Sequence, residues 1–150
     1  MENFTHVQPV EILLVEDNPG DVELTKEALA DCKMINNLHV TYDGQEAMDF
    51  LHKKEPFTNA VTPDLVILDL NLPKLDGREV LKLIKSDENL KKIPVVVLTT
   101  SQSEEDILKM YKHYANCYIT KPIDLDQFVT VVKAIENFWM GIVKLPSEKH

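Results

Sequence analysis

A doubly wound α/β domain built on a parallel sheet is the fold class that this sequence predicts. Short runs that are apolar at every position recur along the chain, and stretches with helix-start signals separate them. Chemically versatile side chains follow the apolar runs, where the open edge of such a sheet would lie. A chain of 150 residues fits one domain, and 44% hydrophobic residues can supply its core without staples.

The elements follow in order. "ILLV" (12–15) is apolar throughout and suits a central strand buried on both faces. Asn18 can cap the helix after it, with Pro19 in the first turn. "LHVTY" (38–42) alternates instead, with Leu38, Val40 and Tyr42 on one side, which suits an edge strand with one wet face. Asp43 with Glu46 reads as a capping box opening the second helix. Lys53 to Pro63 is a long polar loop leading to "LVIL" (65–68), a second central strand. Asp76 with Glu79 opens a third helix, and "VVVL" (95–98) forms the next strand. A fourth helix is predicted from near Ser103, a short strand at "CYI" (117–119), and a last helix from the Asp124–Gln127 pair. The alternation makes five βα units in one domain.

Bulk properties narrow the function. With 25 Asp and Glu against 16 Lys and Arg, the formal charge is -9. That argues against nucleic acid as the main partner, although acidity also simply keeps small proteins soluble. Cys32 and Cys117 lie far apart in no metal-like spacing and read as reduced, largely buried thiols, a disulfide between them being the alternative. The histidines (His6, His39, His52, His113, His150) form no ligand pair. No apolar run is long enough for a bilayer, and "MENFTHVQPVE" is not a signal peptide, so a soluble, cytoplasmic chain with no membrane partner is expected. No Walker A or Gly-rich dinucleotide fingerprint occurs, and there are only four glycines.

Glu16 and Asp17 follow the first strand, Asp69 ends the third, Thr99 ends the fourth, and Lys121 follows the fifth. One acid after a strand is most often a helix cap. Three acids meeting a lysine and a threonine at one sheet edge point to chemistry. Clustered carboxylates repel one another, and a divalent cation relieves this better at neutral pH than protonation does. The all-oxygen set, without His or Cys, favours Mg²⁺ (or Mn²⁺), which keeps waters and seeks a phosphate. With Lys121 adding a fixed charge, the group suits phosphoryl transfer, and Asp69 on its rigid strand is the best-placed nucleophile.

"LLVEDNPGD", "LVILDLNLPKLDG", "IPVVVLTTS" and "CYITKP" resemble the receiver domains of two-component response regulators, the CheY-like family. The resemblance implies a flavodoxin-like, five-stranded doubly wound parallel sheet of order 2-1-3-4-5 with helices on both faces, an order for which CheY is a standard example. It implies one receiver domain over residues 1–150, with a core of about 10–140 and a C-terminal extension at 141–150. Carried over by position, Asp69 is the phosphoacceptor, Asp17 a direct metal ligand, and Glu16 an acid acting through metal-bound water. Asn71 offers the metal its backbone carbonyl. Thr99 is the switch hydroxyl, Tyr118 the aromatic moving with it, Lys121 the phosphoryl ion pair, and Lys121–Pro122 a cis peptide. "PKLDGREVL", "NCYITKP" and "IENFWMGIVKLP" are similar to the small response regulators of cyanobacterial phytochromes, implying a phytochrome sensor histidine kinase as donor.

The sequence departs from the family at Thr100, where a small residue is usual, and at "YANC" (114–117), which replaces Gly–Ala. Asn71 and Ser101 lie where they would tune the lifetime of an acyl phosphate. The last helix carries more apolar residues than one buried face needs. Phe138, Trp139, Met140 and Val143 therefore mark a surface for a homodimer, the alternative being a tail folded back on its own domain. The reading is a signalling protein, not an enzyme, at most phosphorylating itself from small phosphodonors and dephosphorylating itself with Mg²⁺. Its signal would leave through a downstream protein. Three alternatives stand beside it: a kinase other than phytochrome or a phosphorelay, a phosphorylation-independent binding module, and a Mg²⁺-dependent phosphatase. Phosphatases of the haloacid-dehalogenase type carry a second Asp two residues after the nucleophile, where this chain has Asn71.

Overall fold

The computed structural model describes residues 9–31, 35–99 and 117–121 together with Asp126, Thr130 and Lys133; at 117, 118 and 120 it describes the backbone alone. In chain order these residues form β1 (Val10–Val15), α1 (Pro19–Ala30), β2 (Asn36–Thr41), α2 (Gly44–Leu51), β3 (Leu65–Asp69), α3 (Gly77–Ser86), β4 (Val95–Thr99) and β5 (Cys117–Thr120). The five strands pair in parallel in the order β2-β1-β3-β4-β5. This is the flavodoxin-like order, and the chain reverses its direction of travel across the sheet between β1 and β3.

Alternation along each strand divides its apolar run between two faces. Leu13, Val15, Val66, Leu68, Val95 and Val97 pack with Met48 and Leu51 of α2 and Val80 and Ile84 of α3. Ile12, Leu14, Ile67, Val96, Leu98 and Ile119 pack on the other face with Val22 and Leu29 of α1. Both faces are covered, so β1, β3 and β4 need apolar residues at every position. Each such side chain contributes about 1.5–3 kcal/mol when fully buried, which makes this sheet a stiff mount for whatever lies at its end.

β2 is the edge strand expected from its alternation, with Leu38 and Val40 packing partly on the α1 face. Tyr42 departs from that expectation. The strand ends at Thr41, and Tyr42 is 55% exposed. The turn into α2 takes it out of the ladder, and its N–H donates to Glu46 Oε1 at 2.7 Å.

Helix starts follow their capping residues. Asn18 accepts from the Asp21 N–H and Asp43 from the Glu46 N–H, at 3.0 and 2.7 Å. Two details differ from the expected capping boxes. Glu46 returns its carboxylate to Tyr42 rather than to the cap residue itself. Asp76 accepts from the N–H of Arg78, not of Glu79, at 2.7 Å. The expected fourth helix, the Asp124–Gln127 pair, Cys32, Pro122, Ser101 and the stretch Phe138–Val143 lie outside the described residues. Asp126, Thr130 and Lys133 are helical and exposed.

Candidate functional site

The carboxyl ends of β1, β3, β4 and β5 meet beside the point where the chain reverses direction. Continuing from β1, Glu16 is fully buried, while Asp17 is exposed at the rim. Asp69 is the last residue of β3 and is 2% exposed. One carboxylate oxygen from each of Glu16, Asp17 and Asp69 lies within 4.8 Å of the other two. The β4 end brings in Thr99, also fully buried, whose carbonyl accepts the Lys121 N–H at 2.6 Å. That bond ties the residue after β5 to the end of β4. Tyr118 lies on β5 in register with Val97, one ladder step from the Leu98↔Ile119 pair.

Both oxygens of Asp69 are held. Oδ1 accepts the Asn71 N–H at 2.9 Å, and Oδ2 accepts from Lys121 Nζ at 3.0 Å. Lys121 reaches the acids directly. Its ammonium lies among them, 3.0 Å from Glu16 Oε1, 3.0 Å from Asp69 Oδ2 and 2.8 Å from Asp21 Oδ2. An ammonium in that position offsets the mutual repulsion of the carboxylates. Burial works against the charged lysine, but its bonds to Asp21, Glu16 and Asp69 outweigh that and hold its pKa above the ordinary lysine value.

Glu16 responds in the opposite sense. Burial and then its contact with Asp69 push its pKa up to about 7, against the lowering effect of Lys121. The folded chain therefore keeps a proton that the unfolded chain releases near 4.5. In metal-free buffer, stability should fall as pH rises from about 4.5 to 7, because the folded state binds more protons in that window. Urea denaturation across the window should show the midpoint falling with pH. A Glu16→Gln chain should show a flatter profile, and an equal slope in both would contradict this assignment.

Glu16 Oε1 is also buried without a hydrogen bond, despite its closeness to Lys121. The Lys121 hydrogen bond goes to the other oxygen, Oε2, at 3.1 Å. A buried oxygen that accepts no hydrogen bond, within an all-oxygen group, fits a hard divalent cation such as Mg²⁺ or Mn²⁺.

The loop that carries Asn71 is clamped from below. The Gly77 N–H donates to Leu70 O at 3.1 Å, and a Cβ at Gly77 would run into Asp69 O and Leu70 Cα. Gly44, opening α2, sits as close against Leu75 O, and its N–H faces Pro73 O at 3.5 Å. Lys74 adopts φ 66°, a strained region for a non-glycine residue, with its ammonium 3.6 Å from Asp43. The lysine of that pair is exposed and the 3.6 Å contact contributes little; the close backbone packing at the two glycines positions the loop.

Two contributors escaped the sequence reading. Asp21 lies one helical turn beyond Asp17, and that spacing from the sheet edge was the available signal. Gly77 ends the "LDG" stretch, but nothing in its spacing reveals the backbone it must touch.

The profile of the response regulator receiver domain family matches residues 12–133. The response regulator Rcp1 of Synechocystis sp. is 46% identical over 139 residues, 93% of this chain and 95% of that protein. The crystal structure of the phosphorylated cyanobacterial phytochrome response regulator RcpA superposes with a TM-score of 0.77 at 51% identity, over 89% of this chain and 95% of that one. The Mn²⁺-bound form of Rcp1 superposes with a TM-score of 0.76 at 46% identity, over 87% and 94%. With strands β2 to β5, most of β1 and the acidic edge inside the matched span, this chain belongs to the response regulator receiver domain family.

Proposed function

We propose that the protein accepts a phosphoryl group on Asp69 from a sensor histidine kinase, of the phytochrome class, and relays the signal as a conformational change. The observation that carries this reading is the clustering of the Glu16, Asp17 and Asp69 oxygens within 4.8 Å, with the Lys121 ammonium bonded to Asp69. The phytochrome assignment rests on the likeness to RcpA and Rcp1. The likeness to Mn²⁺-bound Rcp1, with the Glu16 oxygen that accepts no hydrogen bond, supports a divalent cation held by Glu16, Asp17, Asp69 and the Asn71 carbonyl. Such a cation supplies charge neutralisation at the phosphoryl oxygens.

This chain's own residues do the rest. An Asp69 carboxylate oxygen attacks the phosphorus of phosphohistidine; the new P–O bond forms as the P–N bond breaks, and its electron pair returns to the imidazole. The Asn71 N–H orients the nucleophile, and the Lys121 ammonium, already within 3.0 Å of Asp69, turns to the transferred group. The Thr99 hydroxyl then binds a phosphoryl oxygen, and Tyr118 packs inward behind it. Pro122, Asn71 and Ser101 keep the roles that the resemblance gives them, a cis peptide after Lys121 for Pro122 and tuning of the acyl-phosphate lifetime for Asn71 and Ser101. Self-phosphorylation from small phosphodonors and self-dephosphorylation belong to the same chemistry. The apolar excess in the sequence at Phe138, Trp139, Met140 and Val143 supports association with a second copy, and the altered face passes the signal to a downstream protein. Among the described residues, no helix is long and apolar enough to cross a membrane, in keeping with a cytoplasmic site of action.

Incubation with acetyl phosphate and Mg²⁺ should add one phosphoryl mass to the wild type and none to Asp69→Asn, read by intact-mass spectrometry. An unmodified wild type, or an identical adduct on the variant, would sink the proposal.

A further inference from the structure

Lys121 has a third carboxylate partner that the metal site does not use. Its ammonium is 2.8 Å from Asp21 Oδ2, closer than to Glu16 or Asp69, each at 3.0 Å. Asp21 does not belong to the acid group formed by Glu16, Asp17 and Asp69. The pair is largely withdrawn from water, with side-chain exposures of 11% for Lys121 and 17% for Asp21. Removing one partner from a contact this sheltered costs more than from an ion pair on the surface, because the other charge is left uncompensated. Asp21 is also fixed by its backbone. Its N–H donates to Asn18 Oδ1 at 3.0 Å, and its carbonyl accepts from the buried Thr25 hydroxyl at 2.8 Å.

We propose that Asp21 is a positioning residue that holds the Lys121 ammonium beside the site when a divalent cation engages Glu16 and Asp69. The inference rests on the phosphoacceptor reading above. The cation takes two of the three carboxylates that balance Lys121. Asp21 remains, so the ammonium can leave those two without becoming a sheltered, unpaired charge. It then stays on the α1 side of the cluster, within reach of an incoming phosphoryl group. Without Asp21, Lys121 keeps competing with the cation for Glu16 and Asp69. The simpler role for Asp21, an acid favourable in the first turn of α1, would act on the helix and owe nothing to Lys121.

Calorimetric titration of Mg²⁺ into the full chain separates these roles. Asp21→Asn should weaken Mg²⁺ binding roughly five-fold, a modest coupling between neighbouring charges. In the Lys121→Met background, the same change should shift affinity by less than about two-fold. Asp21→Glu, which keeps the charge, should recover most of the loss. Lys121→Gln, still able to donate to the acids, stands in if the methionine chain does not fold. Equal weakening in both backgrounds would overturn the inference alone, because Asp21 would then act only as a diffuse charge. A wild type that binds no Mg²⁺ would overturn the phosphoacceptor reading, and this inference with it.

Discussion

Replacing Lys121 with methionine is expected to destabilise the metal-free protein by about 3 kcal/mol near pH 8, the cost typical of removing one partner from a buried ion pair. Lys121 is the cation among three carboxylates within 2.8–3.0 Å, and two of these, Glu16 and Asp69, are almost inaccessible to water. The loss should shrink as pH falls. Glu16, already pushed up to about 7, will take a proton and relieve the repulsion. It should shrink also with millimolar Mg²⁺, because a cation between the acids replaces the missing charge. Urea denaturation of both chains, with and without Mg²⁺ and at two pH values, reads all three effects. A loss of stability indifferent to both pH and Mg²⁺ would mean that Lys121 matters through packing of its stem.

A second large effect is expected at Gly77, a residue without chemistry. Its Cα lies against the backbone between β3 and the following loop; an alanine Cβ would lie 2.5 Å from Leu70 Cα and would also collide with Asp69 O. Those atoms cannot swing aside as a flexible side chain would, since Asp69 and Leu70 are anchored to β4 through the ladder and the Leu70 N–H to Leu98 O bond. Overpacking of this kind costs about 1–3 kcal/mol. The displaced backbone is that of the nucleophile, so Gly77→Ala should also slow phosphorylation by acetyl phosphate roughly ten-fold or more through misplacement. Thermal denaturation and a time course of adduct formation test the two consequences separately. Unchanged phosphorylation in a destabilised protein would show that the loop relaxes without moving the carboxylate.

Much of the fold was legible because burial on both faces leaves an unambiguous mark. "ILLV", "LVIL" and "VVVL" read as central strands and occupy β1, β3 and β4, each one or two residues longer than its apolar core. The edge strand was legible from its alternation up to Thr41. Tyr42 was misplaced because a continued alternation looks the same whether the chain stays in the ladder or turns into a cap. The strand order came from resemblance, since periodicity says which residues are buried and nothing about which strand lies beside which.

The candidate site divides along the same line. Glu16, Asp17, Asp69, Thr99 and Lys121 stood out from sequence alone, because each follows an apolar run and a parallel sheet sends those ends to one edge. The likeness to receiver domains then gave each a chemical role. What the tertiary structure decided was which of them touch. It set the Lys121 ammonium among the carboxylates, brought in Asp21 as a partner a hundred residues away in the chain, and left Glu16 Oε1 without a hydrogen bond. Local pattern records the environment of each residue singly. Distances between charges arise only when separate strands and a helix are packed together, and those distances govern the protonation of Glu16 and the hold on Lys121.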